Sequence, residues 1–245
     1  MIDEMVSIIL PFRLKHRFQR DVTRNCLQNI RAFTKNYELI VLESNPDKSD
    51  LSEPLKKEIR PEDRWITFDK NLFNSVSLNI GFKEAKSRFV HNMANDILVH
   101  EHWMDELLKY YNADSSIKII GPNHQRPSSY DDYKSLVEKT QNTPIESWEM
   151  VPFNHLAGGY FMEKKIYEAI GPFDENFAFY HLDADYRRRV NDLGFQCCFV
   201  PTSLVTHLAS MTWFYDMETH AADPYNIHDE WKDHLYYNKK WGIDG

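Results

Sequence analysis

The chain has 245 residues, 42% hydrophobic and 14% aromatic, with 8 Gly, 11 Pro and 3 Cys, which argues against collagen, low-complexity disorder or a disulfide-built miniprotein and suits one domain with a short extension. Its formal net charge of -8, from 29 Lys plus Arg against 37 Asp plus Glu, argues against a protein whose main task is gripping nucleic-acid phosphates. No apolar run approaches the roughly 18 to 20 residues of a membrane span, the opening Met-Ile-Asp-Glu-Met lacks a leader pattern, and Cys26, Cys197 and Cys198 form no CxxC pair, so the expectation is a cytoplasmic protein with reduced thiols.

In chain order, the apolar run Val6 to Phe12, interrupted by Pro11, predicts a buried first strand. From Arg17 to Phe33, apolar residues at Phe18, Val22, Cys26, Ile30 and Phe33 predict one helical face. Tyr37 to Leu42 is again strand-like, and a strand, helix, strand unit makes the two strands parallel through a right-handed crossover. Asn45 to Glu62, broken by Pro46, Pro54 and Pro61, predicts a connection with one short helix. Strands are expected at Trp65 to Phe68, Arg88 to Met93 and Ile117 to Gly121, and helices at Phe73 to Lys86 and His102 to Tyr111. Such alternation specifies an α/β fold around a mostly parallel sheet flanked by helices.

Beyond Pro122, the polar stretch Asn123 to Pro152 predicts long surface loops, followed by helices near Lys164 to Ile170 and His181 to Leu193 and a strand at Gln196 to Val200. Residues 211–245 are rich in Trp, Tyr, His and Asp without clear periodicity, and are expected to wrap the domain or cover its cleft. Within them, Asp216, Glu218, His220, Asp223, His228 and Asp229 match no defined metal motif, and a solvated lid or tail is the reading.

In open parallel sheets ligands bind beyond the carboxyl ends of the strands. The residues so placed are Pro11 to Arg13, Glu43 to Asn45, and Asn95 with Asp96. Asp183 and Asp185 fall at the start of a helix, where the dipole favours a carboxylate, and His207 follows the last strand. Taken singly, each also has a plain structural reading: a helix cap for Asp96, capping and pairing to Arg187, Arg188 or Arg189 for the two aspartates, and a satisfied core or surface histidine for His207.

Taken in order, VSIILPF, YELIVLES, NSVSLNIGFKEAKSRFVHNMANDI, AGGYFMEKKIYEAIGPFDENF, LDADYRRRVNDLGF and FVPTSLVTH resemble the family 2 glycosyltransferases with the GT-A fold, over about residues 5 to 210. The resemblance implies a GT-A domain at 1–210, its nucleotide-binding half at 1–122 and its acceptor half at 123–210, with 211–245 as an extension. It implies that Pro11, Phe12 and Arg13 hold the nucleotide base, that Glu43 touches the uracil or ribose side, and that Asn79, in the motif Asn79-Ile80-Gly81, lies near the nucleotide. The family's Asp-x-Asp metal motif falls on Ala94, Asn95 and Asp96, keeping the final carboxylate. Its Glu-Asp pair falls on Leu182 and Asp183, keeping the catalytic base. Asp185, Arg189 and Gly194 continue the pattern, Gly158 and Gly159 line the acceptor side, and His207 is a further metal or pyrophosphate contact.

The chemistry agrees with these roles. A departing nucleoside diphosphate concentrates negative charge, which a divalent ion held by Asp96 and His207 neutralises as a Lewis acid. Oxygen ligands suit Mg²⁺ or Mn²⁺, and the histidine tilts the choice toward Mn²⁺. Asp183 would take the proton of the attacking acceptor hydroxyl, and a single in-line attack inverts the anomeric centre. The expectation is therefore a metal-dependent, inverting transferase that takes a UDP-, GDP- or dTDP-sugar donor and a glycan or other hydroxyl acceptor. Two readings stand beside it: a nucleotidyltransferase, for which PFRLKHR lacks the glycine-rich phosphate loop, and a degenerate, non-catalytic glycan- or nucleotide-binding protein, motivated by Ala94 and Leu182.

Overall fold

The computed structural model describes residues 4–113, 117–125, 159–178, 180–208 and 225–243. Within them the chain forms β1 (Val6–Arg13), α1 (Arg17–Phe33), β2 (Tyr37–Ser44), α2 (Glu53–Lys56), β3 (Arg64–Phe68), α3 (Asn74–Glu84), β4 (Phe89–Asn92), β5 (Ile97–Val99), α4 (Trp103–Ala113), β6 (Ile117–Gln125), β7 (Phe161–Glu163), α5 (Lys164–Ile170), α6 (Leu182–Asp192), β8 (Gln196–His207) and α7 (Tyr225–Trp241).

The strands make one eight-stranded sheet in the order β3-β2-β1-β4-β7-β6-β8-β5. β1, β2, β3 and β4 pair in parallel, as do β6 and β8. β7 runs antiparallel between β4 and β6, and β5 runs antiparallel against β8. The sheet is thus mixed. The two antiparallel strands are three residues each, too short to give a periodic signal in the sequence.

Every residue of β2 is buried, as expected of an apolar run with a neighbour on each side and helices over both faces. Val6, Ile8, Leu10 and Phe12 of β1 enter one core with α1 and α4, while Ile9 enters the other with α3, α5 and α6. The result is a sheet between two helical layers. The buried face of α1 is Gln19, Thr23, Cys26, Leu27 and Ile30, rotated from the predicted stripe so that Phe33 is exposed. Gln19 is drawn inward because its side-chain oxygen accepts the Lys15 and His16 amides, closing the helix start. Gly81 sits where α3 crosses β1: a Cβ there would lie 2.3 Å from Ile9 Cγ2, so the small residue sets the helix-to-sheet distance.

The extension at 211–245 is helical in its last part. Tyr236 and Tyr237 of α7 pack against the second core. Residues 126–158 and 209–224, with Gly158 and the Asp216 to Asp223 cluster, lie outside the described residues. No helix among the described residues is long and apolar enough to cross a membrane.

Candidate active site at the carboxyl edge of the sheet

Strand direction decides which residues share an edge. The parallel strands β1, β2 and β4 end at Arg13, Ser44 and Asn92, and β6 and β8 end at the same side, at Gln125 and His207. The antiparallel strands begin there, β5 at Ile97 just after Asp96 and β7 at Phe161 just after Gly159 and Tyr160. One edge therefore collects Pro11 to Arg13, Asp96, Gly159, Tyr160 and His207.

Asp96 and His207 meet because Ile97 is the register partner of His207 and the Leu208 amide donates to the Asp96 carbonyl. Asp96 Oδ1 lies 3.2 Å from His207 Nε2, with both side chains largely covered. Two ligands on an octahedral ion with bonds of about 2.1 Å are about 3.0 Å apart when adjacent, so this pair fits two neighbouring positions of a Mg²⁺ or Mn²⁺ ion. No group of three or more His, Cys, Asp or Glu that could hold a metal occurs among the described residues. His124, at the end of β6, packs edge-on against His207 with ring centroids 5.8 Å apart.

The loop before Asp96 is fixed from below. Met93 donates its amide to Ile9, Cys26 of α1 reaches the Ala94 carbonyl, and the Asn95 side-chain amide donates to Thr23 Oγ1 at 2.7 Å. Burial first, and then the Asp96 charge, push the Cys26 thiol well above its ordinary range. Asn95 is therefore a brace between loop and helix.

Two further residues of the expected site are held by the fold in the same way. Asn79 accepts from Tyr167 Oη and the Phe173 amide and donates to the Phe173 carbonyl and Glu175 Oε1. These four bonds use the whole capacity of a carboxamide, so it ties α3 to α5 and the loop after it. Glu43 is 2% exposed and accepts from Trp65 Nε1 at 2.9 Å and Thr67 Oγ1 at 2.8 Å, with Lys56 Nζ at 3.3 Å. Burial raises its proton affinity, but hydrogen bonds from Ser52, Trp65 and Thr67 and the Lys56 charge outweigh that and hold the carboxyl below its usual range. It is an internal carboxylate that anchors Trp65, whose ring meets Phe12 edge-on at 5.5 Å. Arg13 pairs with Asp47 at 2.9 Å.

Across the edge, the Gly159–Tyr160 backbone lies directly over the end of β4. The Tyr160 amide donates to Asn92 Oδ1 at 2.9 Å and the Asn92 amide donates to the Tyr160 carbonyl at 3.1 Å. Gly159 has φ of +101°, and a Cβ there would fall 1.5 Å from the Asn92 carbonyl oxygen. Asp183 lies in the first turn of α6, half-buried, and accepts the Ala184 amide at 2.9 Å. Its charge is felt at Tyr160, whose phenol is driven well above its usual range, first by burial and then by Asp183. Asp185 is different: fully buried, it receives Arg189 Nε at 3.1 Å, Lys240 Nζ at 2.6 Å and Trp241 Nε1 at 3.0 Å.

His124, Trp65 and the α7 contacts escaped sequence reasoning. For His124 a signal existed, since β6 runs four residues past the predicted Gly121 end; Pro122 concealed it.

Residues 7–171 match the family model "Glycosyl transferase family 2". Over 118 residues, 47% of the chain, the sequence is 28% identical to poly(ribitol-phosphate) beta-N-acetylglucosaminyltransferase TarP of Staphylococcus aureus strain N315, and the match spans 36% of that relative's length. Among solved structures, GalNAc-T7 with UDP, GalNAc and Mn²⁺ superposes with a TM-score of 0.66 at 16% identity, over 83% of this chain and 43% of that one. Mannosyltransferase PcManGT from Pyrobaculum calidifontis, in complex with GDP-Man and Mn²⁺, gives 0.63 at 15% identity, over 88% of this chain and 61% of that one. Both likenesses show the GT-A fold.

Proposed function

The chain belongs to glycosyl transferase family 2 and is a glycosyltransferase, and from that premise we propose that it is metal-dependent and inverting, moving a sugar from a nucleoside-diphosphate donor to a hydroxyl of a glycan or other acceptor. The observation that carries the metal-dependent reading is the Asp96–His207 pair, 3.2 Å apart at the carboxyl edge of the sheet. Asp96 and His207 would hold Mn²⁺ or Mg²⁺, the ion seen in the Mn²⁺ complexes of both structural neighbours being the precedent. Bound there, such an ion supplies Lewis-acid stabilisation of the departing diphosphate.

The remaining roles belong to the chain's own groups. The turn at Pro11 to Arg13 would receive the base, with Phe12 held in place by Trp65. Asp183, at the positive end of the α6 dipole, would hold the acceptor hydroxyl by its proton and take that proton as the sugar transfers. Attack from the face opposite the diphosphate inverts the anomeric centre.

A thermal-shift panel of UDP, GDP, dTDP and CMP, each with and without Mn²⁺ or Mg²⁺, tests the reading. A ligand at a hundredfold excess over its Kd adds about 2.7 kcal/mol of stability. One diphosphate is expected to raise Tm only with metal, and Asp96→Ala to remove the shift. Asp183→Asn is expected to keep the shift and lose turnover by about a thousandfold. No response to any nucleotide would favour a glycan-binding protein without transfer activity.

A further inference from the structure

Helix α7 is fastened to α6 and to the segment leading into it. Asp233, 2% exposed, accepts the Ala178 amide at 3.0 Å and the Tyr180 amide at 2.7 Å. The Tyr236 hydroxyl donates to Asp174 at 2.9 Å, and Lys240 reaches both Asp174 at 2.7 Å and Asp185 at 2.6 Å. Trp241 closes the far end on Asp185. Buried carboxylates bonded to backbone N–H groups are among the stronger and more directional contacts in a protein, so these bonds fix where residues 174–178 and Tyr180 run.

Between this clamp and Asp183 lies His181, the residue before α6. Its φ of 56° and ψ of -5° place it in the left-handed region, which a non-glycine residue holds only where its surroundings impose it. Here the neighbouring Tyr180 amide is held by Asp233, and the His181 ring stacks on Tyr237 of the same helix at 5.1 Å and 26°. The His181 carbonyl then accepts the Asp185 amide at 2.8 Å, opening the helix. The direction in which the first turn of α6 leaves this residue sets where Asp183, two residues on, is held beside Tyr160.

We propose that Asp233 is a positioning residue for the transfer: by holding the Ala178 and Tyr180 amides it sets the His181 turn and, through it, the Asp183 carboxylate. This rests on the reading of Asp183 as the base. Asp233 touches neither donor nor acceptor, and acts from a helix 50 positions later in the chain, so its effect falls on kcat and spares donor binding.

The test is a double-mutant cycle on the full chain. It reads release of nucleoside diphosphate from UDP-N-acetylglucosamine and GDP-mannose in Mn²⁺ with water as acceptor, and calorimetric affinity for UDP and GDP with Mn²⁺. Asp233→Asn is expected to lower kcat about tenfold while KM and nucleotide Kd stay within about twofold, and to have no further effect in the Asp183→Asn background. Lys240→Met, which cuts the clamp at its other end and leaves Asp233 in place, is the second variant and is expected to lower kcat about threefold with the same dependence on Asp183. Unchanged kcat in both variants, or losses that persist undiminished without Asp183, would overturn the positioning role. Native turnover in Asp183→Asn alone would instead overturn the base assignment, a result visible before the cycle is read.

Discussion

Asp183 and Asp185 stand two positions apart on one helical turn and meet different fates. Asp185 is enclosed by Arg189, Lys240 and Trp241, whereas Asp183 is half-buried beside Tyr160. The spacing in LDADYRRRV is legible as two carboxylates at a helix start, and the i to i+4 pairing to Arg189 was among the alternatives it offered. Which aspartate is enclosed depends on Lys240 and Trp241, more than 50 positions away. Glu43 and Asn79 teach the same point: each belongs to a recognisable motif, and each is fully engaged by residues the motif does not contain. Gly159 makes the sharpest prediction at this scale. With φ of +101° and the Asn92 carbonyl 1.5 Å from a would-be Cβ, Gly159→Ala must push Tyr160 off the end of β4. A loss of about 3 kcal/mol or more is expected in urea unfolding, with turnover falling in the fraction that remains folded.

Among the elements, α7 is the longest that the sequence concealed. Its polar and aromatic residues are spread around the helix because its inward side meets Asp185 of α6, Asp174 and the Ala178 and Tyr180 amides as well as the apolar core, so no apolar stripe marks it. Its docking carries a pH signature through Asp174. Burial alone would raise this carboxyl, but hydrogen bonds from Lys240, Asn176 and Tyr236 outweigh it and bring it down to about 2. A depressed folded-state value contributes stability above the unfolded value of about 4 and loses it as pH falls through about 2. Asp174→Asn is therefore expected to cost about 1 to 2 kcal/mol at pH 7, and the difference from the native chain to vanish toward pH 2. Urea unfolding of both proteins across that interval checks it. β5 was concealed for another reason, since three residues between Asp96 and a helix read equally well as the helix approach.

For the whole molecule, one sheet runs through both halves of the chain. β7 lies between β4 and β6, and β8 between β6 and β5, so a fragment ending at Pro122 would leave two gaps in its sheet and lose much of the second core, which draws on Tyr160, Phe173, Phe177 and Tyr186. A fragment of residues 1–122 is expected to show no cooperative urea transition and no near-ultraviolet circular dichroism, while the full chain shows both. By itself the sequence determined the α/β class, the buried strands β1 and β2, the α1 crossover and the order of motifs that marks the family, because these depend on local periodicity and on residues close together in the chain. The tertiary structure alone decided the mixed strand order, the meeting of Asp96 with His207 across 111 positions, the burial of Glu43, the bonds of Asn79 to the loop after α5, and the clamp of α7 on α6. Those outcomes depend on which distant strands and helices become neighbours, and pairing between distant segments leaves no periodic trace in either partner.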